Sequence, residues 1–224
     1  MHSLATHELV CLALGPIEAN CYLVVERASG AAVCIDPGAE VGRVLDEVTR
    51  RKLRLAYIAL THGHADHIGA VCALREAHRV PVAIHAADAP MLESAAENLS
   101  IFLNASFTVK SAERRLQHGD TIPFGSSVLE VIHTPGHTPG GVCFFLRSAG
   151  DGVSWLFSGD TLFQLEVGRC DLPGGDWPTL QRSISERLYC LPDATVVYPG
   201  HGPATTIIRE KEENPHVRSA AHMA

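Results

Sequence analysis

The chain has 224 residues, 46% hydrophobic and 19% charged, with a formal net charge of −7. Those values suit one domain spanning residues 1–224 with a full core, and they exclude a disordered chain. The acidic balance argues against broad binding to nucleic acid or an anionic membrane, and no stretch reaches the ~18 apolar residues of a membrane span.

The opening Met1-His2-Ser3-Leu4-Ala5-Thr6-His7-Glu8 lacks the basic segment and apolar run of a secretory signal. Short apolar runs at Leu9 to Leu14, Cys21 to Val25 and Ala31 to Ile35 predict strands separated by Gly15-Pro16 and Ser29-Gly30 turns. Asp36-Pro37-Gly38 ends the third. Val41, Val44, Leu45 and Val48 then recur at helical spacing. Leu55 to Leu60 predicts a buried strand that stops at Thr61. Helices are expected at Ala70 to His78 and over most of Ala87 to Asn104, with a short strand at Val82 to His85 between them. From Arg114 the strand pattern returns, at Thr121 to Phe124, Val128 to Ile132, Val142 to Leu146 and Ser154 to Phe157. A helix over Trp177 to Leu191, a strand at Val196 to Tyr198 and a helix over Thr205 to Glu213 complete the chain. Strands followed by helices thus occur twice, which predicts an α/β architecture of two mixed sheets packed face to face with helices outside both. Seven scattered cysteines form no Cys-x-x-Cys pair, and five lie in apolar runs where a buried thiol is expected. A cytoplasmic location follows.

Thirteen histidines are an excess for this length, and they are not a tag. Thr61-His62-Gly63-His64-Ala65-Asp66-His67 places four potential metal ligands within six residues, on a loop between a buried strand and a helix. Local spacing lets His62 and His64 share one ion while Asp66 and His67 turn toward a neighbouring one. Three more candidates each follow a strand beside a glycine: His137 in Thr134-Pro135-Gly136-His137-Thr138-Pro139-Gly140, Asp160 in Leu156-Phe157-Ser158-Gly159-Asp160, and His201 in Tyr198-Pro199-Gly200-His201-Gly202. Imidazole and carboxylate donors without thiolates favour Zn²⁺, Fe or Mn²⁺ in an open site over a closed structural zinc. A carboxylate shared by two ions would hold them ~3.5–4 Å apart.

These motifs resemble the metallo-β-lactamase superfamily, and more narrowly its glyoxalase II-like, hydroxyacylglutathione hydrolase branch in the short bacterial form. Gly15-Pro16-Ile17-Glu18-Ala19-Asn20-Cys21-Tyr22 also resembles the opening of that branch, and the likeness runs from about Leu9 to Pro215. The resemblance implies an αββα sandwich and two divalent ions per chain, Zn²⁺ ahead of Fe or Mn. It implies His62, His64 and His137 on the first ion, Asp66, His67 and His201 on the second, and Asp160 bridging. It also implies hydrolysis of a 2-hydroxyacyl thioester such as S-lactoylglutathione by a metal-bound hydroxide, with Asp66 orienting the nucleophile. Only 23 residues follow His201, too few for the C-terminal helical domain with which long glyoxalase II enzymes bind glutathione.

In the loop Gly168-Arg169-Cys170-Asp171 the resemblance makes Arg169 a candidate partner for a substrate carboxylate, or else a structural partner of Asp171. Cys170 is a candidate reactive thiol or a bystander, and Arg169, Cys170 and Asp171 together are the candidate substrate-binding residues. The Gly-Arg-x-Asp pattern also resembles persulfide dioxygenases of the same superfamily, which use one Fe(II) that His62, His137 and Asp160 could hold. Lactone hydrolysis is a third reading. The expected partner is a small-molecule thioester rather than nucleic acid or a membrane, and a homo-oligomer stays open.

Overall fold

The computed structural model describes residues 6–103, 105–148 and 153–217. The opening residues Met1 to Ala5, on which part of the signal-peptide reading rests, lie outside them. Six strands form the first sheet in sequence order: β1 (His7–Leu14), β2 (Ala19–Glu26), β3 (Ala31–Ile35), β4 (Arg54–Ala59), β5 (Val82–His85) and β6 (Arg114–Leu116). The first three pair antiparallel, and β3 to β6 run parallel. The second sheet comprises β7 (Thr121–Phe124), β8 (Ser127–His133), β9 (Val142–Leu146), β10 (Trp155–Gly159), β13 (Val196–Pro199) and β14 (Thr205–Thr206), in the order β14-β13-β10-β9-β8-β7. A small hairpin, β11 (Leu162–Phe163) with β12 (Glu166–Val167), stands apart from both.

The central strands are apolar on both faces because each face has its own cover. In β2, Cys21, Leu23 and Val25 point to the core beneath α1 (Val41–Arg50) and α3 (Val71–His78). Tyr22 and Val24 alternate into the core between the sheets. In β9 and β10, Phe144 and Phe157 enter that same middle layer. Phe145 and Leu156 face a third layer with Leu180, Ile184 and Ile207, from α4 (Trp177–Arg182), the turn that follows it and α5 (Ile207–Glu213). Three apolar layers between four layers of secondary structure make the expected αββα sandwich. Glu26 clasps the sheets at one end: its carboxylate accepts from Ser126 N (2.8 Å), Ser126 Oγ (2.6 Å) and Ser127 Oγ (3.0 Å), and from Ser29 Oγ. Those donors pull its carboxyl down to about 2.

Three expectations are corrected. Residues 87–104 are not largely helical: two 3₁₀ turns, Ala89–Glu93 and Ser100–Leu103, are joined by irregular backbone, and Asn104 lies outside the described residues. Pro90 opens the first turn, and the side chains of Asn98 and Ser100 take backbone partners that a continuous helix would need (Ser100 N to Asn98 Oδ1, 2.8 Å; Phe107 N to Ser100 Oγ, 3.1 Å). The helix expected over Trp177 to Leu191 is α-helical only to Arg182, then widens to a π-helical turn, Ser183–Leu188. Only Cys21, Cys34 and Cys143 are buried. Cys11 in β1 and Cys72 in α3 are exposed because their positions fall on the solvent side of the period, and Cys190 is exposed in the turn after Leu188. No helix among the described residues is long and apolar enough to cross a membrane.

Candidate metal centre

All seven candidate ligands converge at one end of the sandwich. His62 and His64 lie on the loop after β4, and Asp66 and His67 on the single turn α2 (Ala65–Ile68). His137 comes from the β8–β9 turn, Asp160 from the end of β10 and His201 from the end of β13. Among these seven, two groups form, each with its donor atoms within 4.8 Å of one another: His62, His64 and His137, all buried, and Asp66, His67 and His201, the more open; Asp36 with His62 and His67 makes a third, buried set. Asp160 stands between the first two. Its Oδ1 is 3.4 Å from His67 Nε2, and its Oδ2 is 3.6 Å from His137 Nε2 and 3.7 Å from His201 Nε2. Gly200 leaves room for this carboxylate, since a Cβ there would stand 2.1 Å from Asp160 Oδ1.

Four buried atoms of this cluster have no hydrogen-bond partner: Nε2 of His62, His64 and His67, and Asp160 Oδ1. Left so, buried polar atoms are costly. Cations accepting lone pairs would satisfy His62 Nε2, His67 Nε2 and Asp160 Oδ1, so the donor set fits the two ions expected from sequence. His64 Nδ1 and His137 Nε2 lie 3.0 Å apart, a contact that a proton or a shared cation must bridge. Burial, then the neighbouring imidazoles, holds His62 well below the ordinary imidazole value and pushes His64 down to about 3. Both rings are therefore neutral, as ligands must be. In the second group burial works against the charged forms but is outweighed. Asp66 and Asp160, with Asp36, hold His67 well above its usual value, and His67 and His201 hold Asp66 below the usual carboxylate range. This half of the site demands positive charge.

The ring orientations are set from outside the cluster. His137 Nδ1–H donates to Arg169 O (2.7 Å) and His201 Nδ1–H to Ile17 O (3.1 Å), which turns each Nε2 inward. His67 Nδ1–H donates to Asp36 Oδ2 (3.0 Å). Thr61 donates to the same carboxylate, N–H to Oδ1 (2.8 Å) and Oγ–H to Oδ2 (2.6 Å), and its Oγ can accept from His62 Nδ1–H (3.1 Å). One buried aspartate therefore orients a histidine of each group. Sequence reasoning took Asp36-Pro37-Gly38 for a turn only; an aspartate ending the strand beside the motif strand was the signal available. Asp36→Ala should weaken metal binding by about 10–100-fold. Competition with a chelator measures it, and unchanged affinity would show that the rings are held by packing alone. Asp88, also missed, is fully buried and fixes the His137 turn through Thr138 Oγ (2.7 Å) and Gly140 N (2.6 Å).

A cleft of about 630 Å³ opens over the cluster, its walls including Ile17, Leu99, Phe102, Phe163, Val167 and Leu172. Arg169 reaches its rim, but Cys170 and Asp171 line a neighbouring cleft on the other side of the loop. The Cys170 thiol contacts Gly168 O (3.6 Å), and burial raises its pKa, so it is not an activated nucleophile. Arg169 takes the structural alternative: its guanidinium forks onto Asp171 (Nε to Oδ1 2.7 Å, Nη2 to Oδ2 2.8 Å).

The family model of the metallo-beta-lactamase superfamily matches residues 14–201, a span that holds all seven convergent side chains. The chain belongs to the metallo-β-lactamase superfamily. It is 37% identical over 203 residues to a probable metallo-hydrolase, YqgX, of Bacillus subtilis, covering 90% of this chain and 93% of that one. It is 35% identical to the hydroxyacylglutathione hydrolase GloC of Haemophilus influenzae, covering 89% and 93%. Among solved structures, the BLEG-1 B3 metallo-beta-lactamase superposes with a TM-score of 0.87 at 38% identity, covering 93% and 98%. TTHA1623 in a di-iron-bound form gives 0.80 at 39%, covering 92% and 98%. ETHE1 from Myxococcus xanthus gives 0.76 at 32%, covering 94% and 84%. The chain is thus a metallo-hydrolase superfamily member with His and Asp metal-binding groups.

Proposed function

We propose that the protein hydrolyses a 2-hydroxyacyl thioester, with S-lactoylglutathione as the reference substrate, at a centre of two divalent ions of the Zn²⁺ or Fe class. The observation that carries this reading is the pair of three-donor groups around one carboxylate, Asp160, beneath an apolar cleft. Its likeness to GloC supports the thioester as the bond cleaved. His62, His64 and His137 would hold one ion and Asp66, His67 and His201 the other, with Asp160 shared. Such ions, when bound, supply Lewis acidity, which acidifies water and polarises a carbonyl.

The chain's own residues position and neutralise. Neutral His62 and His64 offer lone pairs, while the ionised Asp66 at the cleft floor orients the attacking water. Asp36 fixes the rings of His62 and His67 so that neither reorients during turnover. The cleft walls exclude bulk water from the acyl group, which strengthens every charge interaction at its floor. No serine or cysteine lines this cleft among the described residues, so the chemistry does not call on a side-chain nucleophile.

A second reading, an iron-dependent persulfide dioxygenase, draws on the Gly168-Arg169-Cys170-Asp171 pattern. Metal content and substrate separate the two. About two metals per chain with turnover of S-lactoylglutathione is the expected result. One iron per chain, with O₂ consumed on adding glutathione persulfide and no thioester cleaved, would replace the hydrolase by the dioxygenase.

A further inference from the structure

Arg169 is fixed in place but its charge is spoken for. Its carbonyl accepts from His137 Nδ1–H (2.7 Å), which anchors the residue at the rim of the cleft over the metal centre. Its guanidinium meets Asp171 through two parallel hydrogen bonds, the geometry in which an arginine best binds a carboxylate. A carboxylate on substrate would need that same fork. Asp171 sits two residues away on the same loop, so it occupies the fork before any substrate arrives and a substrate carboxylate must displace it. Asp171 stays ionised there, its carboxyl drawn down to about 2 by the guanidinium. The remaining charged lining of the cleft is anionic or belongs to the metal centre, and no lysine or other arginine lines it among the described residues. What surrounds the floor is apolar: Ile17, Phe102 and Phe163 form much of the wall, with Ile17 50% and Phe102 74% exposed among the described residues.

We propose that this cleft selects thioesters whose thiol or acyl segment is neutral and apolar, and that Asp171 is a specificity-determining residue that keeps Arg169 from a substrate carboxylate. The inference rests on the thioesterase reading. In it, S-lactoylglutathione is cleaved at its acyl end while the carboxylates of its peptide go unrecognised, and a neutral thiol filling the apolar wall binds better.

The test uses metal-loaded protein and two thioesters of one acyl group: S-lactoylglutathione, and the neutral S-lactoyl thioester of benzyl mercaptan. Wild type should show a KM about tenfold lower for the benzyl thioester, from the ring area removed from water. Asp171→Asn frees the guanidinium without altering the shape of the residue. The ratio of the glutathione KM to the benzyl KM should then fall about two- to fivefold, the range of an exposed ion pair. Adding Arg169→Gln to Asp171→Asn should return the ratio to the wild-type value. The inference is overturned if Asp171→Asn leaves the ratio where it was, or if wild type prefers the glutathione thioester and loses that preference in Arg169→Gln. Cleavage of neither thioester would sink the proposed activity instead. In that event calorimetric binding of benzyl mercaptan and of glutathione to the same proteins reads the selectivity by itself, with the same ordering expected and the reverse ordering fatal. Arg169 and Asp171 side chains are 62% and 69% exposed, so both variants should keep the wild-type unfolding midpoint.

Discussion

Asp160→Asn should lower thioester turnover by about 10²–10³-fold, the cost of removing one electrostatic contact to the reacting centre, and should cut the bound metal from two ions toward one. Asparagine keeps the shape but offers a single oxygen and no charge. The aspartate needs both oxygens, since Oδ1 faces His67 while Oδ2 faces His137 and His201. Metal content after dialysis and kcat on the same samples check both parts. The metal-free variant should be less stable to urea than metal-free wild type, because the Asp160 charge that helps hold His67 and His201 above their ordinary values, at 3.4 and 3.7 Å, is gone. Full metal content with full activity would show that Asp160 is not shared between the two groups.

Gly38→Ala should destabilise the protein by ~3 kcal/mol or more, the upper range for overpacking. A Cβ at this position would stand 1.6 Å from Asp66 O and 2.6 Å from its carbonyl carbon, which is backbone that cannot swing away. The loop after β3 lies flat against α2 here, and Ala70 N donates to Pro37 O (2.9 Å) across the same contact. A methyl group must push apart the loop holding Asp36 and the helix holding Asp66 and His67, so metal affinity should fall with stability. Gly42→Ala is the matched control. Gly42 lies in α1 and a Cβ there would meet nothing within 4 Å, so the change should stabilise by ~0.5–1 kcal/mol. Urea midpoints of the two metal-free variants decide it, and equal midpoints would mean that the loop and α2 are not in rigid contact.

The ligand types were legible in sequence because four of them fall within six residues on one loop, and the other three share one local pattern, strand then glycine then ligand. The sandwich was legible for a related reason. Strands buried on both faces lose their alternation, and the helix periods at 41–48 and beyond supply the covers. Residues 87–104 were misread because apolar spacing there suits a helix, while the side chains of Asn98 and Ser100 bond the backbone locally, a competition that hydrophobic periodicity does not register.

The sequence by itself determined the candidate donor set, the twice-repeated order of strands and helices, and the membership that Thr61 to His67, His137, Asp160 and His201 together signal. These depend on residue identity and short-range spacing, which the chain carries at every stage of folding. Only the tertiary structure decided how those donors divide into two groups around Asp160, and that Asp36 orients rings 26 and 31 residues away. Each of these depends on which lone pair or N–H faces which neighbour, and that is fixed only when loops from both sheets pack at one end of the sandwich.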